Sequence, residues 1–74
     1  MSITKLMTPA VFAKADMEER LYLNQYIQTE SYTAVAEMFD VNRTTALRKI
    51  RKALQRVHGP NLPILKNGRL KPDE

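Results

Sequence analysis

The feature that most limits what this chain can become is the run from Thr44 to Val57. With Ile50 set at zero on a helical wheel, Ala46, Leu47, Ala53, Leu54 and Val57 all fall within about 60° of it. Such a period belongs to an α-helix and cannot be satisfied by the strict alternation of a strand. The other side of the wheel carries Arg48, Arg51, Lys52, Gln55 and Arg56, with Thr44 and Thr45. Gly59 and Pro60 stop the helix, and His58 sits near its negative end. One stripe must therefore be buried, and the basic side must face water, a nucleic acid or another protein.

The segments before it supply something to bury it against. Thr8 is placed as an N-cap with Pro9 at the first helical position, which predicts a helix of about two turns over "PAVFAK". Asp16 and Glu19 have capping-box spacing, so a second helix is expected from Met17 to Gln28, with its acids in the first turn where the helix dipole favours them. Leu23, Tyr26 and Ile27 share one face of it while Met17 and Leu21 point elsewhere, a breadth that predicts packing on two sides. A third, shorter helix starts at Glu30 or Ser31, with Tyr32, Val35, Ala36 and Phe39 on one face. Asp40 ends it, and Asp tolerates the left-handed backbone of a tight turn better than most residues.

The chain of 74 residues makes one small domain, which buries only roughly 60% of its unfolded surface. That size disfavours a deep substrate cleft. The expected fold is all-α, a helical domain over 1–60 with three to four helices. Residues 61–74 form either a β-hairpin or a flexible basic tail. The hairpin reading rests on Asn67-Gly68, a type I′ turn signal that would pair Leu65 with Leu70. An isolated hairpin is marginal in water, so it forms only if it packs on the helices.

Charge is split along the chain. Residues 1–40 hold three cations against six acids, and residues 41–74 hold nine cations against Asp73 and Glu74 alone. The net charge of +4 is thus −3 on the first half and +7 on the second. From Val41 to Pro72 there is no acid, which points to a polyanionic partner for the second half.

A short helix, a three-residue turn and a longer basic amphipathic helix describe a helix-turn-helix over 32–58. Ala36 is small where the helices would cross, Phe39 and Val41 bracket the turn, and Ala46 and Ile50 line the inner face. The stretch "VNRTTALRKIRKAL" resembles the recognition half of Fis-type and related bacterial or phage helix-turn-helix regulators, with an apolar-Asn-Arg turn and a Lys/Arg-rich helix. The resemblance spans Tyr32 to Val57. The group usually has Gly where Asp40 stands and a larger aliphatic residue than Ala46. It implies a DNA-binding transcription regulator whose second helix enters the major groove.

In that arrangement the first turns of the helix reach base edges. Those positions hold Asn42, Arg43, Thr44, Thr45 and Arg48. Asn can pair with adenine, Arg with guanine, and a Thr methyl can meet thymine. Lys49, Arg51, Lys52 and Arg56 lie farther along and suit phosphates, which position without specifying. Lys66, Arg69 and Lys71 would add contacts as a wing or an arm. Six to nine such cations would give a steep dependence on salt.

Two other readings fit the same residues. The basic face can simply be solvated, or the domain can act as a protein-docking module, as in small phage regulators that bind RNA polymerase directly and alter promoter use. Duplex readers of this type commonly act as dimers, and the tyrosine-bearing second helix is the candidate homodimer surface, although core packing explains Tyr22, Tyr26 and Tyr32 as well. Met7, Met17 and Met38 read as gap-filling residues.

Nothing points to an enzyme, a metal or a cofactor. His58 has no second His or Cys beside it, and the chain has no cysteine. Both glycines are explained by a helix stop and a turn. No segment approaches the ~20 apolar residues of a membrane span, and no targeting signal is visible, so a cytoplasmic location is expected.

Overall fold

Each expected helix start is present in the computed structural model, which describes residues 3–60 and 62–64. A 3-10 turn at Ile3–Leu6 comes first. It is followed by α1 (Pro9–Lys14), α2 (Met17–Thr29), α3 (Tyr32–Phe39) and α4 (Arg43–His58). The domain is all-α, with no strand among the described residues. The hairpin expected around Asn67-Gly68 lies outside the described residues.

Local chemistry accounts for the boundaries. Thr8 is extended ahead of Pro9, but its hydroxyl makes no capping bond. At α2 the capping box closes in both directions: Glu19 N–H donates to Asp16 Oδ1 at 2.8 Å, and Asp16 N–H donates to Glu19 Oε1 at 3.1 Å. At α3, Ala34 N–H donates to Ser31 Oγ at 3.2 Å, so Ser31 is the cap. Glu30 is instead the residue that ends α2, in the left-handed region at φ 51°.

Asp40 is also left-handed, at φ 54° and ψ 49°. Its N–H donates to Glu37 O at 3.3 Å, and Val41 N–H donates to Ala36 O at 2.9 Å. That six-residue closure is a Schellman ending, which satisfies carbonyls that α3 would leave without partners. Asp40 thus supplies, without being glycine, the left-handed conformation that this ending requires.

The apolar stripe of α4 is the centre of the molecule. Ala46, Ile50, Ala53 and Leu54 are buried, and Leu47 and Val57 are half-buried against the same core. Around them pack Val11, Ala15, Tyr22, Leu23, Tyr26, Tyr32, Val35 and Ala36. With Ala36 and Ala46 both buried, α3 and α4 can approach closely. Ile3 and Met7 close one end, and Leu62 and Ile64 rest on the core after α4. Truncating Ile50 to Ala would cost about 2–5 kcal/mol, a large share of what a domain this small possesses.

Helix α2 packs against both α3 and α4, the elements that follow it, yet part of its apolar surface stays exposed. Its inner face is Glu19, Tyr22, Leu23 and Tyr26, while Met17, Leu21 and Ile27 are exposed. A carboxylate, Glu19, shares that buried face. Met7 does fill the core, but Met17 and Met38 are exposed and fill no gap. The three tyrosines are buried, so they form no tyrosine surface. Tyr22 stacks on Phe39 with centroids 4.2 Å apart, and Tyr26 packs on Tyr32 at 4.7 Å. Among the described residues no helix is long and apolar enough to cross a membrane.

Candidate nucleic-acid interface

Helix α4 has three exposed or half-exposed sectors, and they differ in what surrounds their cations. The sector turned to α2 carries Lys49 and Arg56. Lys49 Nζ pairs with Glu18, and this hydrogen bond holds its ammonium above the ordinary lysine pKa. The same ammonium stands 5.6 Å from the centroid of the Tyr22 ring. Arg56 pairs with Glu19 and also donates to Lys14 O at 3.4 Å.

Among the described residues Glu19 is the buried carboxylate, and two arrangements make it tolerable. One oxygen, Oε1, accepts from the Asp16 N–H within the capping box and from Arg56. Among the described residues no buried side-chain polar atom lacks a partner. Removing Arg56 would leave the Glu19 charge buried without its counter-charge. Arg20 works alongside, donating from Nε to Phe12 O at 2.7 Å, so two cations serve the carbonyl end of α1.

A second sector faces α3. The Arg43 guanidinium lies 5.6 Å over the Tyr32 ring, at the first turn of α4. Tyr32 hydrogen-bonds Tyr26, and burial pushes its phenol well above the ordinary tyrosine value, against the pull of the Arg51 and Arg43 charges. Arg43 and Arg51 therefore flank a buried aromatic pair. Cation and ring attract each other by about 0.5–1 kcal/mol at exposed sites.

The third sector is the outer face. Asn42, Thr44, Arg48 and Lys52 are exposed, and Thr45 is half-buried at its edge. Arg48 and Lys52 have no carboxylate partner among the described residues. Asn42 precedes the helix as its N-cap, with a side chain that makes no capping bond. The face therefore offers a hydroxyl, a guanidinium and an ammonium along one side of the 16-residue helix, with the Asn42 amide exposed ahead of it.

Of the residues expected to touch nucleic acid, Thr44, Arg48 and Lys52 share this face, and Asn42 is exposed just ahead of the helix. Arg43 and Arg51 are set beside Tyr32. Lys49 and Arg56, expected as phosphate contacts, are instead engaged with Glu18 and Glu19, because α2 lies along that flank of α4. Lys66 and Arg69 lie outside the described residues. His58, expected to stabilise the end of its own helix, reaches away from it: Nε2–H donates to Leu6 O at 2.7 Å and ties α4 to the first turn of the chain.

Sequence reasoning missed the groove beside this helix. It has a volume of about 620 Å³ and is lined by Met17, Glu18, Leu21, Tyr22, Phe39, Val41 and Lys49. The signal available was the off-face position of Met17 and Leu21 on α2. The chain matches no known protein family, no curated protein and no solved structure.

Proposed function

We propose that this protein is a DNA-binding transcription regulator that lays the outer face of α4 in the major groove. The observation that carries the reading is the contrast around α4: cations facing α2 pair with Glu18 and Glu19, while Arg48 and Lys52 project from the outer face with no acid paired to them among the described residues. Asn42, Thr44 and Arg48, in the first turns, are the base-reading residues, since amide, methyl and guanidinium match adenine, thymine and guanine edges. Lys52 and Arg51 bear on phosphates and set the register. A protein seated there would alter transcription by blocking or recruiting polymerase.

The same contrast lowers the expected salt dependence. With Lys49 and Arg56 engaged inside the domain, roughly two to four phosphates are contacted, for a log–log slope of about −2 to −4. Fluorescence anisotropy with a mixed-sequence duplex at rising salt measures it. Arg48→Ala should weaken binding about tenfold or more. Failure of the unaltered protein to bind duplex at low salt removes the DNA reading. Retention on purified RNA polymerase after nuclease treatment would then favour direct polymerase docking.

A further inference from the structure

Arg43 stands apart from the cations of both the outer face and the α2 flank. It precedes Ile50 by seven residues, so on the wheel it lies about 20° from the buried stripe and about 140° from Arg48. From there it cannot share the base-facing side. It is nevertheless exposed, because the buried stripe begins only at Ala46, nearly one turn later. Its guanidinium lies 5.6 Å over the Tyr32 ring, within the range at which a cation is drawn to a ring face. Tyr32 is a fixed platform. It is the first residue of α3 and is buried, packed on Tyr26 with centroids 4.7 Å apart and hydrogen-bonded to it.

The major groove is about 12 Å wide and a helix with its side chains about 10–12 Å across. A helix lying in the groove therefore sets its two flanks against the two sugar-phosphate strands. On α4 the flank toward α2 holds its cations with Glu18 and Glu19. The flank toward α3 holds Arg43 and Arg51 beside Tyr32. We propose that Tyr32 is a positioning residue for DNA binding, whose ring holds the Arg43 guanidinium on the α3 flank of α4 to meet a backbone phosphate. The inference rests on the DNA reading of α4. Fixing a long side chain with many rotamers at an interface costs affinity. A ring that already restrains Arg43 removes part of that cost before the duplex arrives. Guanidinium suits the role, because it can lay its face on a ring and keep edge donors for phosphate oxygens. The contact grips the strand without reading its sequence.

Fluorescence anisotropy of the full chain with two duplexes of unrelated sequence tests it. Arg43→Gln should flatten the slope of log affinity against log salt by about one and weaken binding to both duplexes alike. Tyr32→Leu, which removes the ring, should weaken binding about two- to tenfold. Tyr32→Phe, which keeps the ring, should restore the affinity that Tyr32→Leu loses. In an Arg43→Gln background Tyr32→Leu should cost no further affinity, although its cost to thermal stability remains. A purely structural role for Tyr32 would lower affinity equally in both backgrounds. The unaltered protein gives a readout that does not depend on Tyr32→Leu folding: the Arg43 Hδ protons should be shifted upfield by the ring, with and without duplex. An unchanged slope in Arg43→Gln, a loss confined to one duplex, a Tyr32→Leu penalty that survives in Arg43→Gln, or unshifted Arg43 Hδ signals overturns the inference. If Arg48→Ala weakens binding and Arg43→Gln does not, this inference falls and the DNA reading stands. Absence of duplex binding at low salt removes both.

Discussion

Two sectors of α4 look alike in sequence and differ in the folded protein. Lys49 and Arg56 on one, and Arg48 and Lys52 on the other, all belong to a single acid-free run. The first pair is held by Glu18 and Glu19 of α2; the second projects outward. The difference teaches that a count of cations on a helical wheel overstates the surface available to a polyanion. Cations at the margin of the wheel are within reach of a neighbouring helix, and an acidic neighbour converts them from ligand contacts into structural ones. The charge split of the chain is thus partly internal: acids of the first half neutralise cations of the second.

The most severe way to break this comparison is Arg56→Ala. If Arg56 is structural, its loss leaves Glu19 buried without its counter-charge and should cost about 2–4 kcal/mol in urea or thermal unfolding. Arg56→Met combined with Glu19→Gln should recover much of that, because a neutral pair has no charge to compensate. Arg48→Ala, on the outer face, should change stability by no more than about 0.5 kcal/mol. Equal stability of Arg56→Ala and Arg48→Ala would erase the distinction between the sectors.

Next in size is a backbone effect remote from both sectors. Glu30 holds a left-handed conformation at φ 51° without the freedom of glycine. Glu30→Gly should stabilise the domain by up to about 1 kcal/mol, relief of strain exceeding the added entropy of the unfolded chain. The midpoint of thermal unfolding reads it. Smaller still is Lys49→Ala. Its pair with Glu18 is largely exposed, and such pairs are worth about 0–1 kcal/mol. Its unfolding midpoint should therefore stay close to that of the unaltered protein, well above that of Arg56→Ala.

Alkaline pH sharpens the sector beside α3. Burial raises the Tyr32 pKa above its unfolded value of 10.0. A group raised in the folded state contributes stability that is fully present below the unfolded value and is lost as pH climbs through the folded one. Lys49, also raised, acts in the same direction. Stability should therefore hold to about pH 10 and fall above it, and the decline should be shallower in Tyr32→Phe. Ultraviolet titration of phenolate at the same pH should show one tyrosine ionising only as the domain unfolds.

How much of this was legible in the sequence depends on the range of the interactions. The capping box at Asp16 and Glu19, the left-handed Asp40 and the stripe through Ile50 are local, and local spacing reveals them. The stripe was clear because four of its members are fully buried, with no competing period. The Glu19–Arg56 and Glu18–Lys49 pairs join residues 37 and 31 positions apart. No spacing rule predicts which flank of α4 the second helix will lie along. The exposure of Met17 and Leu21 was hidden for a related reason. Their off-face positions were visible, but whether another element covers them is a tertiary fact. The exposure of Thr44, Arg48 and Lys52 was legible, because residues opposite the apolar stripe lie beyond the reach of neighbours. The pairing of Lys49 and Arg56, at the margin of that basic side, with Glu18 and Glu19 was not legible there.

The central claim is that the outer sector of α4 grips DNA and the α2-facing sector does not. The slope of log affinity against log salt tests it most directly, since slope reports phosphate contacts while affinity also responds to self-association. Removing both Arg48 and Lys52 to Ala should flatten the slope by about 1–2, and Lys49→Ala should leave it unchanged within error. A Lys49→Ala slope that flattens as much as that of Lys52→Ala would contradict the account.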